Sequence, residues 1–302
     1  MSAQFLELER EGLFVTACSE SDWPRFQELV GETEVILHLL EPLTSALIAL
    51  APKLRLIQKI GVGVNTIDLE AARRREIAVC NMPGTNSRAV AEMTLLLMLS
   101  VLRQVCPIDR LTRRGEGWKL PATAQDLHRE LGGTTVGLVG YGAVARLLVP
   151  MLQAVGARVI YTSRSNVADA VAEERSLDDL LSESDLVSLH LPLNRDTEKI
   201  INEHAITRMK KHAVLINTAR GALVDEIALY KALKSGALGG AGLDVFEEEP
   251  TSPENPLFTL DNVVVSPHVA YLTRETIERS LAVAAENCRR LAANKELLYR
   301  VV

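Results

Sequence analysis

Residues 134–148 read TTVGLVGYGAVARLL. An apolar run, Thr134–Val139, enters a glycine-rich turn. The stretch Val144–Val155 then has helical spacing, Gly156 stands at a C-cap-like position, and Arg158–Thr162 is the next apolar run. Gly140, Gly142 and Ala145 spell GxGxxA. Gly140 permits the tight turn, Gly142 lets a backbone approach a pyrophosphate, and Ala145 is small enough for close helix–strand contact. The first amides of the helix are then free to face phosphates. The glycines alone are a weak signal, because such turns often only close a βα unit. A strand before, a helix after and a second strand about twenty residues on make the dinucleotide reading the stronger one.

Working outward, Leu186–His190, Ala213–Asn217, Gly242–Val245 and Val263–Ser266 are further short apolar runs, with helical stretches such as Glu226–Lys234 between them. Ser176 with Asp179 resembles a capping box. This alternation predicts right-handed βαβ units and a doubly wound parallel sheet. Before residue 104, Glu34–Leu37 and Leu56–Ile60 read as strands, and Asp68–Arg75 and Ala89–Val105 as helices. Residues 107–133 read as an irregular crossover containing Trp118, expected to anchor it. The last helix, near Arg274–Asn294, carries Ile277, Leu281 and Ala284 at helical spacing and is expected to pack back on the first region. The expected class is therefore α/β. Two Rossmann-like parallel-sheet domains are predicted: a discontinuous domain of residues 1–104 and 272–302, and an inserted dinucleotide-binding domain of residues 105–271.

Composition narrows the function. A net charge of −6 offers no footprint for nucleic acid. Arg73, Arg74 and Arg75 form the densest basic cluster and read as a solvated helix end. Cys18, Cys80, Cys106 and Cys288 lack CxxC or zinc-ligand spacing, so no metal is expected and the thiols read as reduced. The apolar stretch Met93–Leu102 is about half the length a membrane span needs and reads as a buried helix. No membrane partner is expected, and a cytoplasmic location follows.

The end of the second strand bears on the cofactor. An NAD site usually carries an acid there for the ribose hydroxyls, whereas this chain has Thr162, Ser163, Arg164 and Ser165. An arginine among small hydroxyl residues suits a 2′-phosphate, so NADP is favoured, with NAD possible should Arg164 face solvent. Three separated residues complete the chemistry: Arg220 in NTARGALVDE, Glu249 in LDVFEEEP and His268 in VVVSPH. A guanidinium can hold a 2-keto acid, and a histidine backed by a carboxylate can move a proton. Taken singly, an arginine after a strand, a lone histidine or an EEEP loop most often does nothing chemical. Glu247 and Glu248 are rivals to Glu249. His38, His128, His204 and His212 stand without such company.

The chain resembles the D-isomer-specific 2-hydroxyacid dehydrogenases. The matching stretches are IGVGVNTIDLEAA, MPGTNSRAVAEMTLLLML, ELGGTTVGLVGYGAVAR, HLPLNRDTEKIIN, LINTARGALVDEIAL, GAGLDVFEEEP and NVVVSPHVA, in family order over roughly residues 35–295. Within the family the glyoxylate/hydroxypyruvate reductase and phosphoglycerate dehydrogenase branches are most similar. The resemblance implies reduction of a small 2-keto acid to a D-2-hydroxy acid, or the reverse. Arg220 would anchor the carboxylate, His268 would be the acid or base, and Glu249, directly before Pro250, its partner. The backbone of Val62 and Gly63 would grip the substrate carboxylate. The cofactor would run along Gly140, Tyr141, Gly142, Ala143 and Val144, then Ser163, Arg164 and Ser165, then His190 and Pro192. Thr218, Ala219, Asp244, His268 and Ala270 would complete its contacts, Asp244 orienting the nicotinamide carboxamide. Tyr271 would border the site.

The resemblance also implies a homodimer. A regulatory co-repressor on the same fold, with little turnover, is the alternative. Some features depart from the family. The usual first strand has only a feeble counterpart at Leu13–Thr16. His38, Leu39, Leu40 and Glu41 stand where phosphoglycerate-specific relatives place arginines, which points to a small or apolar substrate side chain. Lys59 could reach an anionic one. Glu249 stands where formate dehydrogenases have Gln. With the sequence ending at Val302, no regulatory domain is expected.

Overall fold

The computed structural model describes residues 3–19, 22–120, 124, 128–165 and 167–302, with side chains described from residue 6 onward. The chain divides into two compact units, Met1–Asn86 with Leu272–Val302, and Ser87–Tyr271. In the first unit, helices α1 (Ala3–Arg10) and α2 (Trp23–Val30) precede β1 (Val35–His38). Then come α3 (Ser45–Ala49), β2 (Leu56–Lys59), α4 (Leu69–Arg74) and β3 (Ala78–Cys80). The strands pair in parallel in the order β1-β2-β3. No strand forms at Leu13–Thr16; the chain there is irregular between two helices. The sequence reading also passed over β3, whose three residues are too short a run to show alternation.

The central strand β2 is buried throughout. It therefore needs internal partners for its polar residues. Gln58 donates through Nε2 to the Cys80 carbonyl at 3.2 Å and accepts from Asn287 Nδ2 at 2.6 Å. Asn287 also donates to Leu298 O and accepts from Leu298 N. The C-terminal helix, Arg274–Ala292, is thereby tied to the first unit as expected. Thr273 caps its start by accepting from the Thr276 amide at 3.1 Å.

The second unit begins with α5 (Ser87–Leu102) and α6 (Val105–Arg113). Part of the stretch read as irregular is thus helical; its residues 121–123 and 125–127 lie outside the described residues. Trp118 stands in a short 3-10 turn, 87% exposed, and does not anchor a crossover as expected. The elements that follow are β4 (Thr135–Val139), α7 (Ala143–Ala154), β5 (Arg158–Thr162), β6 (Glu173–Glu174), α8 (Leu177–Glu183) and β7 (Leu186–Leu189). They continue with α9 (Glu203–Arg208), β8 (Val214–Asn217), α10 (Glu226–Lys234), β9 (Gly240–Leu243) and β10 (Val263–Val265). The C-terminal helix is α11.

These strands form one parallel sheet in the order β10-β9-β8-β7-β4-β5-β6. The order reverses between β4 and β7, the switch point at which doubly wound sheets place ligands. The first boundary falls before α5, not after it as the sequence suggested. Cβ atoms added at Gly242 and Gly240 of β9 would lie 2.9 and 2.6 Å from the Leu97 and Val101 side chains, so α5 packs directly on this sheet. Leu97, Met98 and Val101 share one core cluster with Leu138, Leu148 and Ile216.

Candidate active site

Three neighbouring strands, β8, β9 and β10, deliver Arg220, Glu249 and His268 from the loops at their carboxyl ends. Arg220 follows β8 in extended backbone, and a 3-10 turn, Gly221–Leu223, follows it. Asn217 shapes this corner by donating to Arg220 O at 2.8 Å and accepting from the Ala219 amide at 3.0 Å. Gly221 is required: a Cβ there would collide with the Phe246 and Glu247 backbone. The close approach seats the Arg220 corner on the base of the Glu249 loop.

Glu249 binds with both oxygens. Oε1 accepts from the Phe246 amide at 2.9 Å, and Oε2 lies 2.6 Å from His268 Nδ1. His268 has φ 54°, an uncommon conformation for a residue with a side chain. Its amide donates to Asp244 O at 2.7 Å. Fully buried Asp244 holds the rest of that loop: Oδ1 accepts from Ser266 Oγ and Val269 N, and Oδ2 from Ala270 N. A carboxylate oxygen has two lone pairs, so only Oδ2 keeps capacity for a further donor.

Partial burial of its side chain pushes the Glu249 carboxyl up. The hydrogen bond from His268, the Phe246 amide and the charges of His268 and Arg220 outweigh it, so the group lies below the usual carboxylate range. Burial draws the Arg220 guanidinium down, opposed by the charge of Glu249. The contact with Glu249 occupies Nδ1 and leaves the far ring nitrogen outside that bond. Tyr271 stands edge-on to His268 with ring centroids 6.3 Å apart.

On the cofactor side, Gly140 has φ 101°, and a Cβ there would sit 2.6 Å from His190 O. Gly142 caps α7 without a side chain, and a Cβ on it would meet nothing within 4 Å. The first amides of α7, from Ala143 and Val144 on, thus face an open cradle that suits a pyrophosphate. Tyr141 differs from the others. Its side chain is buried, with the ring 4.2 Å from that of Tyr161, so it can offer a cofactor only its backbone. Ser163, Arg164 and Ser165 follow β5, and Arg164 Nη1 lies 3.9 Å from Asp196. His190 bonds to Ser188 Oγ at 3.0 Å, and burial pulls its ring down to about 4, keeping it neutral at pH 7. Pro192 O accepts from Thr197, and Thr218 pairs with Thr94 at 2.8 Å.

Val62 and Gly63 belong to the other unit, on the loop after β2, where Asn81 Nδ2 donates to Val62 O at 3.0 Å. In the same unit, Lys59 is buried, donates to Leu39 O and lies 3.4 Å from His38 Nδ1. Burial first, then the Lys59 charge, hold His38 down to about 4 against the raising effect of its Glu41 contact. His128, His204 and His212 take no part in the cluster. Sequence reasoning missed Ser266, Gly221 and Asn217. Of these, only the glycine directly after Arg220 carried a signal. Among the described residues no group of three His, Cys, Asp or Glu could hold a metal. No single described helix is long and apolar enough to cross a membrane.

Residues 95–270 match the family model described as "D-isomer specific 2-hydroxyacid dehydrogenase, NAD binding domain". A glyoxylate reductase of Aeropyrum pernix is 44% identical over 256 residues, 82% of this chain and 76% of that protein. The TT0316 protein of Thermus thermophilus superposes with a TM-score of 0.92 at 36% identity, covering 100% of this chain and 97% of that one. An acyclic imino acid reductase solved with NADPH and D-Arg gives a TM-score of 0.87 at 29% identity, covering 100% and 96%. With a dinucleotide turn, an Arg/Glu/His constellation on adjacent strands and these likenesses, the chain belongs to the D-isomer-specific 2-hydroxyacid dehydrogenase family.

Proposed function

We propose that this enzyme reduces a small 2-keto acid to the D-2-hydroxy acid with His268 as acid, Glu249 as its partner and Arg220 as carboxylate anchor. The observation that carries the reading is the 2.6 Å contact between His268 Nδ1 and Glu249 Oε2, in the loops after β10 and β9, with β9 lying next to β8, which delivers Arg220. Arg220 binds the substrate carboxylate through its planar fork and polarises the keto oxygen. The far nitrogen of His268 donates a proton to that oxygen as negative charge develops, and Glu249 stabilises the ring in its charged form. A bound nicotinamide supplies or accepts the hydride. The amides of Val62 and Gly63, which the family resemblance gives to the substrate carboxylate, belong to the same proposal. So do Gly140, Gly142 and the start of α7 for the pyrophosphate, and Oδ2 of Asp244 for the carboxamide.

The cofactor is read as NADPH, with NADH the alternative that the solvent-facing Arg164 leaves open. Support comes from Ser163, Arg164 and Ser165 after β5, with no acid among them. The substrate is read as glyoxylate or a near relative, supported by the name of the 44%-identical protein. The test is oxidation of NADPH and of NADH against glyoxylate, hydroxypyruvate, pyruvate, 2-ketoisocaproate and phosphohydroxypyruvate, with chiral analysis of the product. Fastest turnover of a small keto acid with NADPH is expected. Cofactor binding without turnover of any of them would favour a regulatory role instead. A homodimer is the family expectation, checked by sedimentation.

A further inference from the structure

Glu226 is the first residue of α10 and the last of the LINTARGALVDE stretch. Asp225 is the cap, accepting from the Ala228 amide at 3.0 Å. The Glu226 carboxylate faces elsewhere. Its Oε1 accepts from the Glu247 amide at 2.5 Å, and its Oε2 from Asn255 Nδ2 at 3.2 Å. Glu247 and Asn255 are the two ends of the loop that carries Glu249. Asn255 is itself fixed, because its Oδ1 accepts from the Leu257 amide at 3.0 Å and caps a 3-10 turn. Residues 247–250, between the ends, are exposed. This part of the loop is also held by Lys199, 3.0 Å from Glu247, by Thr251 Oγ1, which donates to Glu248 O at 2.7 Å, and by the bonds Glu249 makes to Phe246 and His268.

From this geometry we infer that Glu226 is a positioning residue for the proton-transfer pair: it clasps both ends of the 247–255 loop and so fixes where Glu249 meets His268. The inference rests on the reading of Glu249 and His268 given above. A carboxylate suits the place because both neighbours donate and neither accepts. Glu226 itself touches neither substrate nor cofactor in this role. A loop left free at both ends samples more conformations, and a pair poised at hydrogen-bond distance loses its alignment when its support loosens.

The test exchanges donor and acceptor. In Glu226→Gln, the amide oxygen still accepts from Glu247 N, but the amide nitrogen now meets Asn255 Nδ2, donor against donor. kcat for keto-acid reduction is expected to fall about tenfold, the effect of losing one charge-assisted hydrogen bond, with KM for NADPH unchanged. The double variant Glu226→Gln/Asn255→Asp restores the pairing, because the new carboxylate at position 255 accepts from the new amide at position 226 and still caps the turn. It is expected to recover most of kcat, whereas Asn255→Asp alone sets carboxylate against carboxylate and is impaired. Recovery in the double variant marks direct coupling. The downfield proton resonance of His268 Nδ1–H reports the pair itself. It is expected to broaden or move in Glu226→Gln and return in the double variant. Wild-type kcat with an unchanged resonance in Glu226→Gln overturns the inference. So does a loss of kcat with an unmoved resonance and no recovery in the double variant. Glu249→Gln measured alongside separates the two levels: if it keeps full activity, the reading of the pair fails. If it is impaired while Glu226→Gln is not, only the role of Glu226 fails.

Discussion

Glu249→Gln is the most direct probe of the proposed proton-transfer pair. The substitution keeps the shape of the side chain and removes its charge. The Gln oxygen can still accept from the Phe246 amide, as Glu249 Oε1 does at 2.9 Å. The amide nitrogen is then left facing His268 Nδ1, where the carboxylate stood at 2.6 Å. An amide donor there forces Nδ1 to accept, which pins the proton on the far nitrogen and opposes the charged ring. What is lost is one hydrogen bond to a charged group, about 1.5–3 kcal/mol. At tenfold per 1.4 kcal/mol, this is a drop of roughly 10- to 150-fold in kcat/KM for reduction. KM for the cofactor should stay near wild type, because the loss falls on the acid and not on the dinucleotide turn. The carboxyl of Glu249 is held below the usual carboxylate range. The Glu249 carboxylate therefore stays charged into mild acid, and wild-type activity should survive there better than an ordinary carboxylate would allow. The assay is steady-state NADPH oxidation with glyoxylate from pH 5 to 9, beside a thermal melt to check the fold. Activity within twofold of wild type over that range, in a folded variant, would refute the assignment.

Other perturbations test the surrounding frame. Gly221→Ala should destabilise the protein and abolish activity together, because the added Cβ collides with the Phe246 and Glu247 backbone; melting and turnover measure both. Arg164→Ala should raise KM for NADPH about tenfold and leave KM for NADH unchanged, and Asp196→Asn should modestly lower KM for NADPH by releasing the guanidinium 3.9 Å away. Burial holds His190 down to about 4, so the unfolded chain takes up a proton near pH 6.5 that the folded chain refuses. Stability is then fully present above pH 6.5 and lost as pH falls toward 4, by up to roughly 3 kcal/mol; His190→Asn should flatten that slope in urea titrations.

The fold was legible where the chain repeats its signals. The GxGxxA turn sits between a run of β residues and a helical stretch, and β4, α7 and β5 form there. Residue type and local motif single out Arg220, Glu249 and His268 as candidates, and the sheet order puts the strands before them side by side. Other features needed contacts between distant positions. β3 has three residues and owes its place to pairing with β2. The Met93–Leu102 run reads as a buried helix, but nothing local says that Gly240 and Gly242 make room for it and draw it into the second unit. Asp244 was read as a cofactor contact. Its burial and its three bonds into the 266–270 loop come from the packing of β9 beside β10, which no spacing reveals.

The pattern behind these misses is physical. A proton-transfer pair needs donors and acceptors held to a fraction of an ångström, and loops seldom provide that by themselves. Here the loop after β9 is stiffened by backbone amides that donate to side-chain carboxylates, and the loop after β10 is stiffened in the same way. Asp244 binds the amides of Val269 and Ala270, while Glu226 binds that of Glu247 and Glu249 that of Phe246. A carboxylate that accepts from main-chain amides is indifferent to the identity of the residues it holds. It therefore leaves no mark on their sequence, and only its own position can betray it. If this is the governing device, replacing Asp244 by Asn should hurt more than replacing an exposed acid such as Glu248. The Asn must turn its amide donor either toward the Ala270 amide or toward Ser266 and the Val269 amide, so one buried main-chain amide goes unpaired, a penalty of about 1–3 kcal/mol. Hydrogen exchange of the Val269 and Ala270 amides measures it directly, and protection equal to wild type in Asp244→Asn would show that the loop is held by something else.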